Sequence, residues 1–372
     1  MSPDVIVIGA GAIGTSIGYQ LARAGVKVMI LDRGQVGREA TGASAGMIMA
    51  QPDRGTPEPF SALAFESARL FAPLADELRE RTGMDIGYRR AGRLQVAFDE
   101  VAEHQLRSER GYLVDHGAIV AWLDGATALD VEPGLNPAVR AAIYHTDEHQ
   151  VMPVAFAQAL ARAAADLGAV VREGALVDRL LIEGDRVAGV GLGEETIPAD
   201  EVVIANGAWA GAWSTPLEMP IPIRPIRGQL VALRTPGTAL RTVIGAGDGY
   251  ALTKPDGSTI IGTTVEDVGF DARPTAAAIS RLLALAPQLA PRLADATVVA
   301  AWAGLRPGTA DGLPLIGRLA RWRGVIMAAG HFRHGILLAP VTGELVADLV
   351  AHRRPRLALD AFEPDRFIVR AA

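Results

Sequence analysis

The sequence predicts an α/β chain (α+β in its mixture): a doubly wound parallel sheet interleaved with an antiparallel-sheet region. Three observations predict it. The first residues alternate strand, glycine loop, helix and strand; the middle carries short strands separated by turn residues; and a second strand–glycine–helix unit lies near the end. Helical and strand periodicities therefore alternate in a way that visits each region more than once.

Composition supports a large core. The chain has 372 residues, 49% hydrophobic and 21% charged, as soluble globular proteins do. At about 150 residues per domain, this suggests two or three domains. Net charge is −6 with no run of Lys or Arg, so nucleic acid is not an expected partner. No apolar run approaches the roughly 18 residues of a membrane helix, and Met1 leads directly into "DVIVIG", so a cytoplasmic protein is expected with no membrane partner. With no cysteine, disulfides, zinc–thiolate sites, thiol nucleophiles and cofactors tethered through sulfur are excluded.

"DVIVIGAGAIGTSIGYQLARAGVKVMILD" supplies the first unit. Gly9, Gly11 and Gly14 stand in G-x-G-x-x-G spacing between a strand and a helix, and a second strand ends at Asp32, 18 residues past Gly14. Gly9 permits the turn, Gly11 lets backbone approach a pyrophosphate, and Gly14 lets helix pack on strand. The helix N-terminus favours phosphate, and Asp32 suits the ribose hydroxyls of an adenosine. The unit predicts a Rossmann-type dinucleotide site but does not separate FAD from NAD. "RGQVGREATGASAGMI" (residues 33–48) follows in place of another βα repeat; it is small and flexible enough for backbone to pass a flat ligand, or to form a surface loop.

Two motifs point to other chemistry. "GASAG" matches the G-x-S-x-G elbow of serine hydrolases, with Ser44 as nucleophile, but "VGREAT" before it is no core strand. "HTDEH" matches H-x-x-E-H, yet His145 and His149 fall in a strand–turn–strand pattern rather than on one helical face. No metal site is expected.

Along the middle, residues 61–81 predict an amphipathic helix and "YRRAGRLQVAFDE" a hairpin turning near Ala91-Gly92. Val154 to Leu167 predicts a helix capped by Gly168. Strands are expected at 170–172, 175–183, 186–192 and 201–205, forming a third parallel strand, an antiparallel excursion and a buried return. A proline-rich passage from Pro216 opens a second β region with a hairpin at Pro255-Asp256-Gly257, then a helix, then "ATVVAAWAGLRP" returning toward the first domain.

"GVIMAAGHFRHGILLAP" closes the pattern with a strand, a bend at Gly330 and a helix whose N-terminus directs N–H groups at a crevice. Arg306, held in direction by Pro307, ends the returning strand. A guanidinium there would grip a substrate carboxylate, with Tyr250 adding a phenolic hydrogen bond; an Arg306–Asp311 pair is the structural alternative.

"VIVIGAGAIG", "TGASAGMI", "WAGLRPGTADGLPLIG" and "AAGHFRHGILLAP" together resemble the FAD-dependent glycine oxidases of the D-amino acid oxidase group, which serve thiamine-thiazole synthesis in bacteria. The resemblance spans essentially the whole chain. It implies a discontinuous FAD-binding domain (1–84, 150–214 and 300–372), a substrate-binding domain (85–149 and 215–299), noncovalent FAD and a homotetramer. It implies Arg306 and Tyr250 as carboxylate clamp, with Arg333 at the substrate. FAD would meet Ala12, Ile13, Asp32, Arg33, Ala40, Thr41, Ala45, Gly46 and Met47, with Val177 at the adenine. His331, Phe332, Arg333, His334, Gly335, Ile336 and Leu337 would wrap the pyrimidine end. The implied activity converts glycine, sarcosine and small D-amino acids with O2 to the 2-oxo acid, ammonia and H2O2. A D-amino acid or D-proline dehydrogenase on the same fold is the alternative. Monomeric sarcosine oxidases share the fold but attach flavin through cysteine and use an active-site lysine; here the lysines are Lys27 and Lys254. Met49, Val265 and Asp248 stand where glycine oxidases place glycine, methionine and histidine, which leaves substrate size preference open.

Overall fold

The computed structural model describes residues 2–51, 56–235, 237 and 239–368. Its parallel sheet has six strands in the order Leu315–Arg318, Val325–Ala329, Glu201–Ile204, Val5–Ile8, Val28–Leu31 and Val170–Arg172, antiparallel only at the first pair. Four apolar residues in Val5–Ile8 are all buried, as a central strand covered on both faces requires. One face carries the helices Ala12–Arg23, Glu58–Thr82, Pro153–Asp166 and Gly335–Val350, joined in one apolar core. The other carries an antiparallel layer, Arg179–Glu183, Arg186–Leu192 and Glu195–Pro198, whose Leu180, Val187 and Val190 pack on Ile6, Ile8 and Leu31. The helix Ala12–Arg23 approaches its strand closely because Gly14 lacks a side chain: a Cβ there would stand 1.8 Å from the Gly9 carbonyl oxygen.

The second sheet has nine strands among the described residues. Arg224–Arg234 pairs on one side with Glu266–Asp267 and Ser258–Gly262 and on the other with Thr297–Gly308; outward from Ser258–Gly262 follow Gly249–Thr253, Val243–Ala246, Arg93–Ala97, Ala141–His145 and Val120–Asp124. All pairs are antiparallel except Arg93–Ala97 with Val243–Ala246. The helix Ala276–Leu289 covers one face through Leu282, Ala286 and Leu289. The opposite face looks toward the nucleotide sheet. No described helix is long and apolar enough to cross a membrane.

Most elements fall where the patterns put them, but three do not. Residues 88–100 form no hairpin: Arg89 bridges to Gln150, Gly92 turns at φ +66°, and Arg93–Ala97 pairs with strands far away in sequence. The strand expected from Ala175 begins only at Arg179. Thr297–Gly308 lies in the antiparallel sheet along its whole length, past the boundary expected at residue 300. Its largely apolar run describes a strand but not its partner, Arg224–Arg234. The helix Glu100–Asp115, N-capped by Asp99 accepting from the Ala102 amide at 2.8 Å, and the strand Val120–Asp124 are further elements of this region.

Candidate active site

A cavity of about 1570 Å³ runs between the parallel sheet's C-terminal edge and the second sheet. At one end Gly9 turns at φ +106°, and a Cβ there would stand 2.6 Å from the Ala205 carbonyl oxygen. Gly9, Gly11, Ala12 and Ile13 line this end. The Ala12 amide donates to Thr41 Oγ1 at 3.0 Å, which ties the residue 38–44 turns to the helix N-terminus. Asp32 accepts from the Ala10 amide at 2.7 Å through Oδ2 and from the Gly34 amide at 2.8 Å through Oδ1. These bonds aim the carboxylate at the glycine loop while leaving lone pairs for further donors. Arg33 lies over the Trp209 ring, its carbon 3.7 Å from the ring centre.

The donor set fits FAD. Glycine backbone, a helix N-terminus and an acidic strand end are what an ADP moiety needs. Asn206 Oδ1 and Trp213 Nε1, both on lining residues, are buried without a hydrogen-bond partner among the described residues, so the cavity presents unmet polar groups to a ligand. Arg33, Ala40, Thr41, Ala45, Met47 and Val177 also line it. Gly14 and Gly46 do not. Gly14 serves helix packing, and Gly46, at φ +73°, lies so near Val151 that a Cβ would stand 2.2 Å from its carbonyl oxygen. Both glycines shape the walls from behind.

At the far end, the bend after Val325–Ala329 brings His331, Phe332, Arg333, His334, Gly335, Ile336 and Leu337 to the cavity. His331 is buried and shares a 3.1 Å hydrogen bond with Thr342 Oγ1. Burial pushes His331 down to about 3; burial, then the positive charge of Arg333, does the same for His334. Neutral imidazoles therefore stand beside a helix N-terminus.

Arg306 reaches the cavity from Thr297–Gly308. Its Nη1 donates to the Thr264 carbonyl at 2.9 Å and its Nη2 to Thr263 Oγ1 at 2.7 Å. Both acceptors are neutral. Among the described residues no carboxylate pairs with Arg306, and Asp311 pairs with Arg366 at 2.8 Å, so the structural alternative of an Arg306–Asp311 bridge is overturned. Burial pulls the guanidinium below its ordinary value, and Arg333 adds to that pull. Tyr250 lines the same end, its phenol pushed up to about 12 by burial against the opposing effect of Arg306. Met49, Asp248 and Val265 also line the cavity, Val265 being 67% exposed.

The competing motifs separate. Ser44 follows turns rather than a strand and accepts from the Gly46 amide at 3.0 Å. Glu148 faces Arg93 at 2.8 Å, whereas His149 Nδ1 bonds Tyr88 at 2.6 Å. Among the described residues no cluster of three or more His, Asp or Glu side chains is arranged to hold a metal. Lys27 is exposed; Lys254 is buried on Gln150 Oε1 and the Val151 carbonyl, outside the cavity lining. Sequence reasoning missed Arg93, Gln95, Asn206, Trp209, Gly228 and Thr263, since what brings each of them to the cavity is the packing of elements distant in the chain.

A family model described as FAD dependent oxidoreductase matches residues 4–349. The chain is 38% identical to the glycine oxidase of Geobacillus kaustophilus over 98% of this chain and 97% of that one. A crystal structure of glycine oxidase from that organism superposes with TM-score 0.93 at 37% identity, covering 99% of both chains. The crystal structure of iminodiacetate oxidase from Chelativorans sp. BNC1 gives 0.89 at 30% identity, over 97% of this chain and 98% of the other. With the glycine loop, Asp32 and the unmet polar groups of the cavity, these likenesses establish that the chain belongs to the FAD-dependent oxidoreductase family.

Proposed function

We propose that the protein oxidises glycine and other small amino acids, sarcosine and small D-amino acids among them, to the 2-oxo acid. The observation that carries this reading is Arg306: a half-buried cation with neutral acceptors only, at the end of the cavity away from the nucleotide loop. A charged donor pair in a desolvated site is suited to a carboxylate. Arg306 and Tyr250 hold that carboxylate, Arg333 adds positive charge, and the phenol stays protonated as a donor. FAD, when bound, would supply a two-electron acceptor for oxidation at the α-carbon and the route to O2. The cofactor is held noncovalently by Gly9, Gly11, Ala12, Ile13, Asp32, Arg33, Ala40, Thr41, Ala45, Met47 and Val177, with residues 331–337 at the flavin end. Positioning and fixed charge supply the chain's share of catalysis, with no acid–base side chain required if the amine binds neutral. Similarity to glycine oxidases also supports a homotetramer in the cytoplasm, with residues 1–84, 150–214 and the C-terminal segment forming the FAD-binding domain.

An oxygen electrode and a peroxide assay on the FAD-loaded protein test this reading with glycine, sarcosine, D-alanine and D-proline. Stoichiometric H2O2 and 2-oxo acid are expected. Reduction of an artificial dye without peroxide would move the protein to the dehydrogenases, and no turnover of any amino acid would overturn the proposal.

A further inference from the structure

Strand Arg224–Arg234 turns Gly228 and Leu230 to the cavity, so Arg227 and Gln229 project from its other face. Gln229 is 0% exposed and Arg227 is 6% exposed. An amide so deeply buried costs free energy unless its polar atoms find partners. Here they all do. Gln229 Oε1 accepts from the Thr275 amide at 2.6 Å, a bond that fixes which end of the side chain is oxygen. Its Nε2 donates to Glu266 Oε1 at 2.9 Å and to Thr275 Oγ1 at 3.2 Å. On the main chain, the Gln229 amide donates to Thr264 Oγ1 at 3.0 Å, and the Gln229 carbonyl accepts from Thr263 Oγ1 at 3.3 Å.

These partners belong to one stretch of chain. Residues 263–275 leave the strand Ser258–Gly262, pair with Ile226 and Arg227 through Glu266–Asp267, and end at the N-terminus of the helix Ala276–Leu289. Gln229 ties both ends of this strap, Thr263 to Glu266 at the start and Thr275 at the finish. Arg227 holds its middle: Nε donates to Glu266 Oε2 at 2.7 Å, while Nη1 lies 3.2 Å from Asp271 Oδ2 and donates to the Arg273 carbonyl at 3.2 Å. The start of the strap carries two acceptors of Arg306, Thr263 Oγ1 and the Thr264 carbonyl. Arg306 and Gln229 therefore meet the same two threonines, one from the cavity face of the sheet and the other from the strand behind it.

We propose that Gln229 is a positioning residue for the substrate carboxylate: by fixing the strap 263–275 it holds Thr263 and Thr264 where Arg306 needs them, and so sets the direction of the guanidinium. The inference rests on the function proposed above, in which Arg306 meets a carboxylate. Gln229 does not line the cavity, so it acts through Arg306 and not on the ligand. A leucine in its place fills similar space, but the Thr275 amide loses its acceptor and Glu266 loses a donor. The strap then shifts, and the guanidinium keeps its charge while losing its aim. Such a loss weakens ground-state binding, which kinetics reads as a rise in KM rather than a fall in kcat.

The test uses FAD-loaded protein with glycine as substrate and acetate, a carboxylate without an amine, as a probe followed by the flavin difference spectrum. Gln229→Leu should raise the acetate dissociation constant and the glycine KM together by about tenfold, with kcat and FAD affinity within about twofold of wild type. Thr264→Val removes the hydroxyl that accepts from the Gln229 amide but keeps the carbonyl that Arg306 uses; it should raise both constants by about threefold. In an Arg306→Ala background, adding either substitution should change the glycine KM by less than about twofold, because both act through the group already removed. A purely structural role would instead multiply with Arg306→Ala. Acetate affinity unchanged in both variants, kcat lost at constant KM, or multiplying effects would overturn the inference. If Gln229→Leu does not fold, Thr264→Val decides by the same criteria. Glycine oxidation with acetate binding indifferent to Gln229 refutes only this positioning role, whereas a wild type that turns over no amino acid refutes the function beneath it.

Discussion

The guanidinium of Arg306 lies across Gly228 of the neighbouring strand, so close that a Cβ on that glycine would stand 2.1 Å from Nη2. The glycine is part of the carboxylate site because it leaves room for the charge to lie flat. Gly228→Ala should push Arg306 off Thr263 and Thr264, at an overpacking cost of about 1–3 kcal/mol. Steady-state kinetics should show KM for glycine raised about tenfold, with FAD affinity within about twofold of wild type. An unchanged KM would mean that Arg306 does not meet substrate in this pose.

Asp32 ties the glycine loop together through the Ala10 and Gly34 amides. Asp32→Ala removes two charge-assisted acceptor bonds and the group proposed for the ribose, each worth about 1.5–3 kcal/mol. Fluorescence titration of apoprotein should show FAD affinity weakened by at least about tenfold. Retained affinity would place the adenosine elsewhere.

The pH profile follows from three groups. His331 and His334 are pushed down to about 3, so both are neutral from pH 5 upward, and Tyr250, pushed up to about 12, keeps its proton to pH 10. None should contribute a break in kcat/KM between pH 5 and about 10. Tyr250→Phe should lower kcat/KM while leaving the profile's shape unchanged. A break near neutrality that disappears in His331→Asn would contradict this assignment.

Lys254 gives a stability signature away from the cavity. Burial first, then Arg89, pushes its ammonium down to about 7 from 10.5. Between those values the unfolded chain holds a proton that the folded chain has lost, so this group makes stability rise with pH across that window. Lys254→Met should flatten the rise in Tm between pH 6.5 and 9.5. An unaltered slope would show that Lys254 is charged in the fold.

The nucleotide end was legible because its residues are close in sequence: Gly9 to Asp32 is one strand–helix–strand unit read by spacing. Arg306 was legible as an unusual charge at a strand end, although its surroundings were not. Gly228 reaches it through register on the neighbouring strand, and Thr263 and Thr264 from the loop between Ser258–Gly262 and Glu266–Asp267; no local pattern records which strands will pair. The same blindness explains residues 88–100, where Tyr88 and Arg93 looked like two arms of a hairpin. Arg93–Ala97 instead finds its partners at Ala141–His145 and Val243–Ala246. Gln95 and Gly245 therefore became neighbours only in three dimensions.

The central claim is that Arg306 holds the substrate carboxylate beside the cofactor, and anaerobic titration of FAD-loaded protein with glycine, followed at the flavin absorbance band, tests it most directly. Wild type should bleach, and Arg306→Ala should retain its FAD yet need about 30- to 100-fold more glycine for half-bleaching, the equivalent of losing about 2–3 kcal/mol of charge-assisted binding. Equal half-bleaching concentrations in the two proteins would contradict the account.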